Sequence, residues 1–180
     1  MVTTSIIAQN ITNLSDARYF AAWGIEYISF NMIPDSPYVI QEPAIREIKD
    51  WVEGPKCLIE ANALEITDLA DGHILSNVYQ SLPLNKEVFY RISFQELIKG
   101  LVASKYIVKV DEKDLAAARN IDPQSILGCD LYLDTTGLPL ESFKDWPKWG
   151  LVVQGSEEEK VGLKSFEGLD DLYELLMDED

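Results

Sequence analysis

Residues 5–32 read SIIAQNITNLSDARYFAAWGIEYISFNM, and the organisation of the whole chain can be worked out from them. A short apolar run at 5–9 gives way to a polar turn with Asn10, Thr12 and Asn13. A helical pattern follows over 14–23, closed by Gly24, and a second apolar run occupies 26–32. Asn13 is a good N-cap, and Asp16 lies three residues on, where negative charge suits a helix N-terminus. Ala17, Phe20 and Ala21 fall at i, i+3 and i+4, which makes one buried stripe. Gly24 suits the left-handed position that ends helices. Two strands joined by one helix lie parallel, with a right-handed crossover.

The same alternation continues. Strand-like runs are expected at 56–62, 73–77, 86–93, 105–111, 130–135 and 149–154. Between them, 42–52 has helical spacing (Ile45, Ile48, Val52) and stops before Gly54-Pro55. Residues 63–70 read as a short helix or turn, 95–101 and 113–120 as brief helices, and 141–146 as one or two helical turns. Residues 169–177 form an amphipathic helix on Leu169, Leu172, Leu175 and Leu176. Eight strands alternating with helices predict a compact (β/α)8 barrel as a single domain over 1–180. Such barrels rarely fall below ~200 residues, so connections must be cut, and those after strands four and seven look too short for a full covering helix. The alternative is an open, doubly wound sheet. Its Gly-rich phosphate loop is missing after the first strand, where Gln9-Asn10-Ile11-Thr12 contains no glycine.

Charge narrows the partners. With 31 acidic and 15 basic residues the net charge is −16, which argues against nucleic acid and anionic membranes, since both need a basic face. No apolar run is long enough to span a bilayer, and no signal-peptide pattern opens the sequence. Cys57 and Cys129 are far apart and in no metal-like spacing. They read as buried reduced thiols, which points to a cytoplasmic location. His73 is the sole histidine and lies at the start of a strand. That disfavours Ser-His-Asp, Cys-His and histidine-rich metal chemistry. The four tryptophans are spaced for core packing, and an exposed 146–149 patch serving an interface is the alternative.

In a barrel of this type the site lies at the C-terminal ends of the strands. In order, those ends offer Gln9, Asn31, Glu60 with Asn62, Asn77, Arg91 with Ser93, Lys109 with Asp111, Asp134 with Thr135, and Gln154. This polar ring has two readings. One is a substrate pocket; the other is a salt-bridged plug in which Glu60 and Asp111 neutralise Arg91 and Lys109.

Ile11-Thr12-Asn13-Leu14-Ser15-Asp16-Ala17, followed by Gly24 and a strand ending in Phe30, resembles the start of the phosphoribosylanthranilate isomerases. That family opens with an Ile-Cys-Gly-Ile-Thr-type strand end and a Leu-x-Asp-Ala helix. The resemblance covers 7–30 and the Pro34-x-Ser36 turn, and returns near 155–164. It implies a (β/α)8 barrel of tryptophan biosynthesis that isomerises an aminoaldose phosphate to an aminoketose, with no metal or organic cofactor. The expected ligand is a sugar phosphate or related metabolite, and the chain would be a monomer or homodimer. The family's base is a Cys at the end of strand one, which falls here on Gln9; the glycine after it falls on Asn10. Its acid, an Asp at the end of strand six, falls on Asp111 by strand count and on Asp134 by the Leu133-Asp134-Thr135 motif. Its phosphate loops fall on Gly137 and on Gly155-Ser156. Glu60, Arg91 and Lys109 would line the pocket.

The departures matter chemically. An amide has no basic lone pair of useful pKa, so Gln9 cannot take the proton. Glu157–Glu159 follow Gly155-Ser156 directly, and at ~6 Å and an effective dielectric of ~20 each carboxylate repels an anionic charge by roughly 2–3 kcal/mol. Two functions remain: an isomerase-like protein with lost or altered activity, or a non-catalytic barrel used as a small-molecule-binding or protein-interaction module.

Overall fold

The computed structural model describes residues 4–62, 68–76, 86–99, 103–123, 128–143, 146, 149–155, 158–160, 163–164 and 167–177. Eight parallel strands close into a barrel in chain order. They are β1 (Ile6–Gln9), β2 (Tyr27–Asn31), β3 (Lys56–Glu60), β4 (Gly72–Leu75), β5 (Glu87–Ser93), β6 (Lys105–Lys109), β7 (Asp130–Asp134) and β8 (Gly150–Gln154). Closure is made by β8 against β1, in register from Ile6↔Leu151 to Gln9↔Gln154, which excludes the open sheet.

The opening unit forms as its residues dictate. Helix α1 (Leu14–Ala22) starts at Asn13, whose Oδ1 accepts from the Asp16 amide at 2.9 Å. Gly24 takes φ 73° just past its end. Helix α2 (Glu42–Trp51) buries Ile45 and Ile48. The next two described helices are short. A Ser93–Glu96 capping box starts α3 (Phe94–Leu97), which has only four residues. Lys113–Asn120 was expected to be one helix; instead a 3-10 turn at Glu112–Asp114 leads into α4 (Leu115–Arg119). After β7, where no full covering helix was expected, the described residues form a 3-10 turn, Leu140–Ser142. Most of the expected 63–70 element and all of 77–85 lie outside the described residues. A two-stranded antiparallel ribbon, β9 (Glu158–Lys160) with β10 (Leu163–Lys164), follows the barrel and was not foreseen. Helix α5 (Glu167–Met177) packs on α1 through a Tyr19–Asp170 hydrogen bond and Trp23–Tyr173 ring contact at 5.0 Å.

The interior is layered by the two-residue period of the strands. Each strand sends one side chain to a central apolar layer: Ile7, Tyr27, Leu58, Ile74, Phe89, Ile107, Tyr132 and Val152. Gly150 stands where an added Cβ would lie 2.3 Å from the Tyr132 ring, so the ring fits only because that side chain is absent. Two residues before the central layer, Ser5, Lys56, Glu87, Lys105 and Asp130 ring the N-terminal end. Glu87 gathers Lys56 at 2.8 Å, Lys105 at 2.9 Å and the Tyr27 hydroxyl at 2.6 Å. Two residues after the central layer, Gln9, Glu60, Arg91, Lys109, Asp134 and Gln154 face the C-terminal mouth.

Three expectations are corrected. Strand six ends at Lys109, not at 111. Asp111 lies beyond it, at the start of the 3-10 turn, because the chain bends away from the sheet there. Trp146 and Trp149 are buried and stack edge-to-face at 5.7 Å, so the exposed 146–149 patch is not formed by its tryptophans. Trp51, expected in the core, is 63% exposed at the end of α2, with the Arg18 guanidinium 5.5 Å from its ring.

Candidate functional site

The mouth is organised around Arg91. Its Nε donates to Glu60 Oε1 at 2.9 Å, and Nη2 donates to Glu60 Oε2 at 3.1 Å and to Gln9 Oε1 at 3.0 Å. Nη1 donates to Asp134 Oδ2 at 2.8 Å. Four of the five guanidinium N–H groups are therefore used, with Glu60 held in bidentate fashion. The acceptors are nearly out of solvent: Gln9 is 3% exposed, Glu60 6% and Asp134 8%. Buried charges persist only when paired and hydrogen-bonded, and this cluster meets both conditions.

Gln9 is engaged at both ends. Its Oε1 accepts from Arg91, and its Nε2 donates to Thr136 Oγ1 at 2.7 Å and, at 3.4 Å, to Asp134 Oδ1. Asp134 Oδ1 also accepts from the Thr136 amide at 3.1 Å, so both of its carboxylate oxygens act as acceptors. Next to Gln9, Asn10 adopts φ 57°. Asparagine tolerates this left-handed conformation better than other non-glycine residues. Asn10 thus keeps a backbone suited to glycine while adding an amide, which donates to Gln154 Oε1 at 3.3 Å and accepts from Asn31 Nδ2 at 3.4 Å.

The structure brings together Gln9, Glu60, Arg91 and Asp134. It leaves Lys109 and Asp111 out. Lys109 is exposed and bonds to no described residue, while Asp111 is 68% exposed and lies 3.8 Å from Lys113. Both line a 330 Å³ cleft at the ends of β5 and β6 that Arg91 also borders, together with Ser76 and Asp114. Gly137 and Gly155 line a second cavity of 380 Å³ between the ends of β7 and β8 and the start of α5. Ser156 lies outside the described residues. The described lining of this second cavity carries no charged side chain. Behind it, an added Cβ on Gly155 would lie 2.8 Å from Asp16 Oδ2, so a carboxylate abuts the candidate anion loop.

Sequence reasoning missed Thr136 and the placement of Asp134 as the second partner of Arg91. The spacing of Asp134 two residues after Tyr132 was the available signal, since it puts both side chains inside the barrel. Neither cysteine offers a replacement base: burial pushes the Cys57 thiol up to about 12, and burial raises Cys129 as well. His73 is 1% exposed on β4 and packs away from the mouth. Among the described residues no group of three or more His, Cys, Asp or Glu is placed to hold a metal ion, and no helix is long and apolar enough to cross a membrane.

No known family model matches the sequence, and no curated protein matches it. Solved structures do. A phosphoribosylanthranilate isomerase in complex with reduced 1-(o-carboxyphenylamino)-1-deoxyribulose 5-phosphate aligns at TM-score 0.69 and 15% identity, over 97% of this chain and 99% of that one. The enzyme from Thermus thermophilus aligns at 0.66 and 18%, over 96% and 98%. A variant from Thermotoga maritima, described as monomers generated from a dimeric isomerase, aligns at 0.68 and 14%, over 98% and 100%. The fold implied by residues 7–30 is therefore the fold of this chain, a (β/α)8 barrel built like the phosphoribosylanthranilate isomerases at low sequence identity.

Proposed function

We propose that this chain is a divergent barrel of the phosphoribosylanthranilate isomerase type, one domain over 1–180, that has lost the isomerisation and works as a binding module. The observation that carries this is the state of Gln9. At the position the resemblance gives to the catalytic base stands an amide, 3% exposed and bonded to Arg91 and Thr136. The two candidate acids add to it. Asp134 spends both oxygens as an acceptor, and Asp111 is exposed outside the cluster. Of the two readings of the mouth, these contacts favour the salt-bridged plug, with Asp134 in the place expected for Asp111 and with Lys109 outside it.

The binding role fits the cavity beside Gly137 and Gly155. Cys57 and Cys129 are both buried, which suits reduced thiols in a cytoplasmic setting. The test is an isomerase assay at high protein concentration. Turnover is expected at background, since a general base contributes ~10²–10⁴-fold. Turnover within about a hundredfold of an ordinary isomerase would overturn the proposal. Glu60 would then be the first residue to mutate.

A further inference from the structure

We infer that the end of α2 around Trp51 docks an arginine-bearing segment of a basic partner protein. This surface lies on the outside of the barrel, so the inference holds whether or not the mouth turns over a substrate.

Trp51 is the last residue of α2 and is 63% exposed, the most open of the described large apolar side chains. The Arg18 guanidinium of α1 lies 5.5 Å from the centre of its ring. That contact shows the kind of group this indole accepts, since the negative face of the ring attracts a cation. An aromatic ring has two such faces, and the exposure of Trp51 leaves it open to a second guanidinium.

The charges around the ring select a cation. Glu47, Asp50 and Trp51 stand at i, i+3 and i+4, which places them on one face of α2. Glu53 follows as the chain leaves the helix. All three carboxylates are exposed, and none has a hydrogen-bond or ion-pair partner among the described residues. The cations nearest in the chain are taken. Arg46 bonds Glu42 at 2.7 Å and Asp68 at 2.8 Å. Lys49 donates to the Leu69 carbonyl, and Lys56 pairs with Glu87 at 2.8 Å. Three unpaired carboxylates therefore outweigh the one Arg18 charge at the ring.

The helix adds to the imbalance. Trp51 sits at its C-terminus, the negative end of the macrodipole. Val52 is extended, at φ −125°, so no left-handed turn folds back over the last carbonyls. At longer range the net charge of −16 draws in a basic partner. A second copy of this chain would bring the same −16 and the same three carboxylates. Arginine suits the face better than lysine, because its planar fork bonds carboxylates while its plane stacks on an aromatic ring.

The experiment uses the ¹⁵N-labelled full chain and NMR. A capped glycine–arginine peptide is titrated at millimolar concentration, alongside its citrulline counterpart, which keeps the shape and loses the charge. The arginine peptide is expected to move the Trp51 indole N–H and the amides of Glu47 and Asp50, with the citrulline peptide leaving them in place. Trp51→Leu keeps apolar bulk and removes the ring; it should weaken binding about two- to fivefold, the range of one exposed cation–π contact. Changing Glu47→Gln, Asp50→Asn and Glu53→Gln together should weaken it about eightfold, roughly twofold for each exposed charge. Equal shifts from the citrulline peptide, or no shift from the arginine peptide, would overturn the inference. So would equal shifts at Asp171 and Glu174 of α5, which would mean general attraction to an acidic protein. A Trp51 signal that moves with protein concentration alone would assign the face to a second copy and overturn it too. These comparisons use the unaltered chain, so they decide the matter even if a variant fails to fold.

Discussion

Replacing Arg91 with methionine takes the cation out of the mouth and keeps most of the side-chain volume. Glu60 and Asp134 are then left 6% and 8% exposed without the donors that had reached them at 2.8–3.1 Å. Breaking a buried pair by removing one partner costs about 3–5 kcal/mol, because the surviving charge stays desolvated. For a chain of this size each kcal/mol lowers the melting temperature by about 2–4 °C, so Arg91→Met should fall by roughly 6–20 °C. Scanning calorimetry and urea unfolding at neutral pH measure this directly. The triple change Glu60→Gln, Arg91→Met and Asp134→Asn removes the charges together and should lie within about 2 kcal/mol of the unaltered protein. A loss below ~1 kcal/mol, the range of exposed ion pairs, would refute a buried plug. So would a triple variant no better than the single one.

Three further outcomes are expected. Gln9→Cys should not restore isomerase turnover, because Arg91 stays bonded to Glu60 and Asp134 in the mouth; a rise of a hundredfold over background in a steady-state assay would show that the mouth is open. At the other end of the barrel, burial alone would raise the Glu87 carboxyl, but hydrogen bonds from Lys56, Tyr27 and Lys105 outweigh it and hold it down to about 2. A depressed folded value means the contribution is complete above the ordinary value of 4.5 and is lost as pH falls toward 2. Glu87→Gln should therefore flatten melting temperature against pH in that window, and an unchanged acid limb would count against the network. Burial, with Lys86 nearby, lowers His73 from its ordinary 6.5. The stability it contributes is present above 6.5 and declines as pH drops below, so His73→Phe should be less acid-sensitive just under that value, as read by urea unfolding across pH.

Much of this architecture could be read from local chemistry. The Asn13 cap, the Ala17–Phe20 stripe and Gly24 define one β-α-β unit. The two-residue period places Gln9, Glu60, Arg91 and Asp134 on the inner face of their strands, because alternation is a property of the extended chain itself. The shortness of the connection after β7 could also be read, because helices need length to form.

The partners in the mouth were a different matter. Glu60 lies 31 residues from Arg91, Asp134 lies 43 away and Gln9 lies 82 away. Local pattern carries no information about which of these meet. Counting strand ends favoured Asp111 as a second carboxylate, but β6 stops at Lys109 and the chain turns outward before Asp111. Asp134 meets Arg91 because closure of β8 on β1 curves the sheet until β1, β3, β5 and β7 face one axis. The same closure brings Asp16 against Gly155, and no spacing in the chain announces that contact. Local sequence sets which face each side chain takes, while the identity of its neighbour across the barrel depends on strand tilt and closure, which exist only once all eight strands are paired.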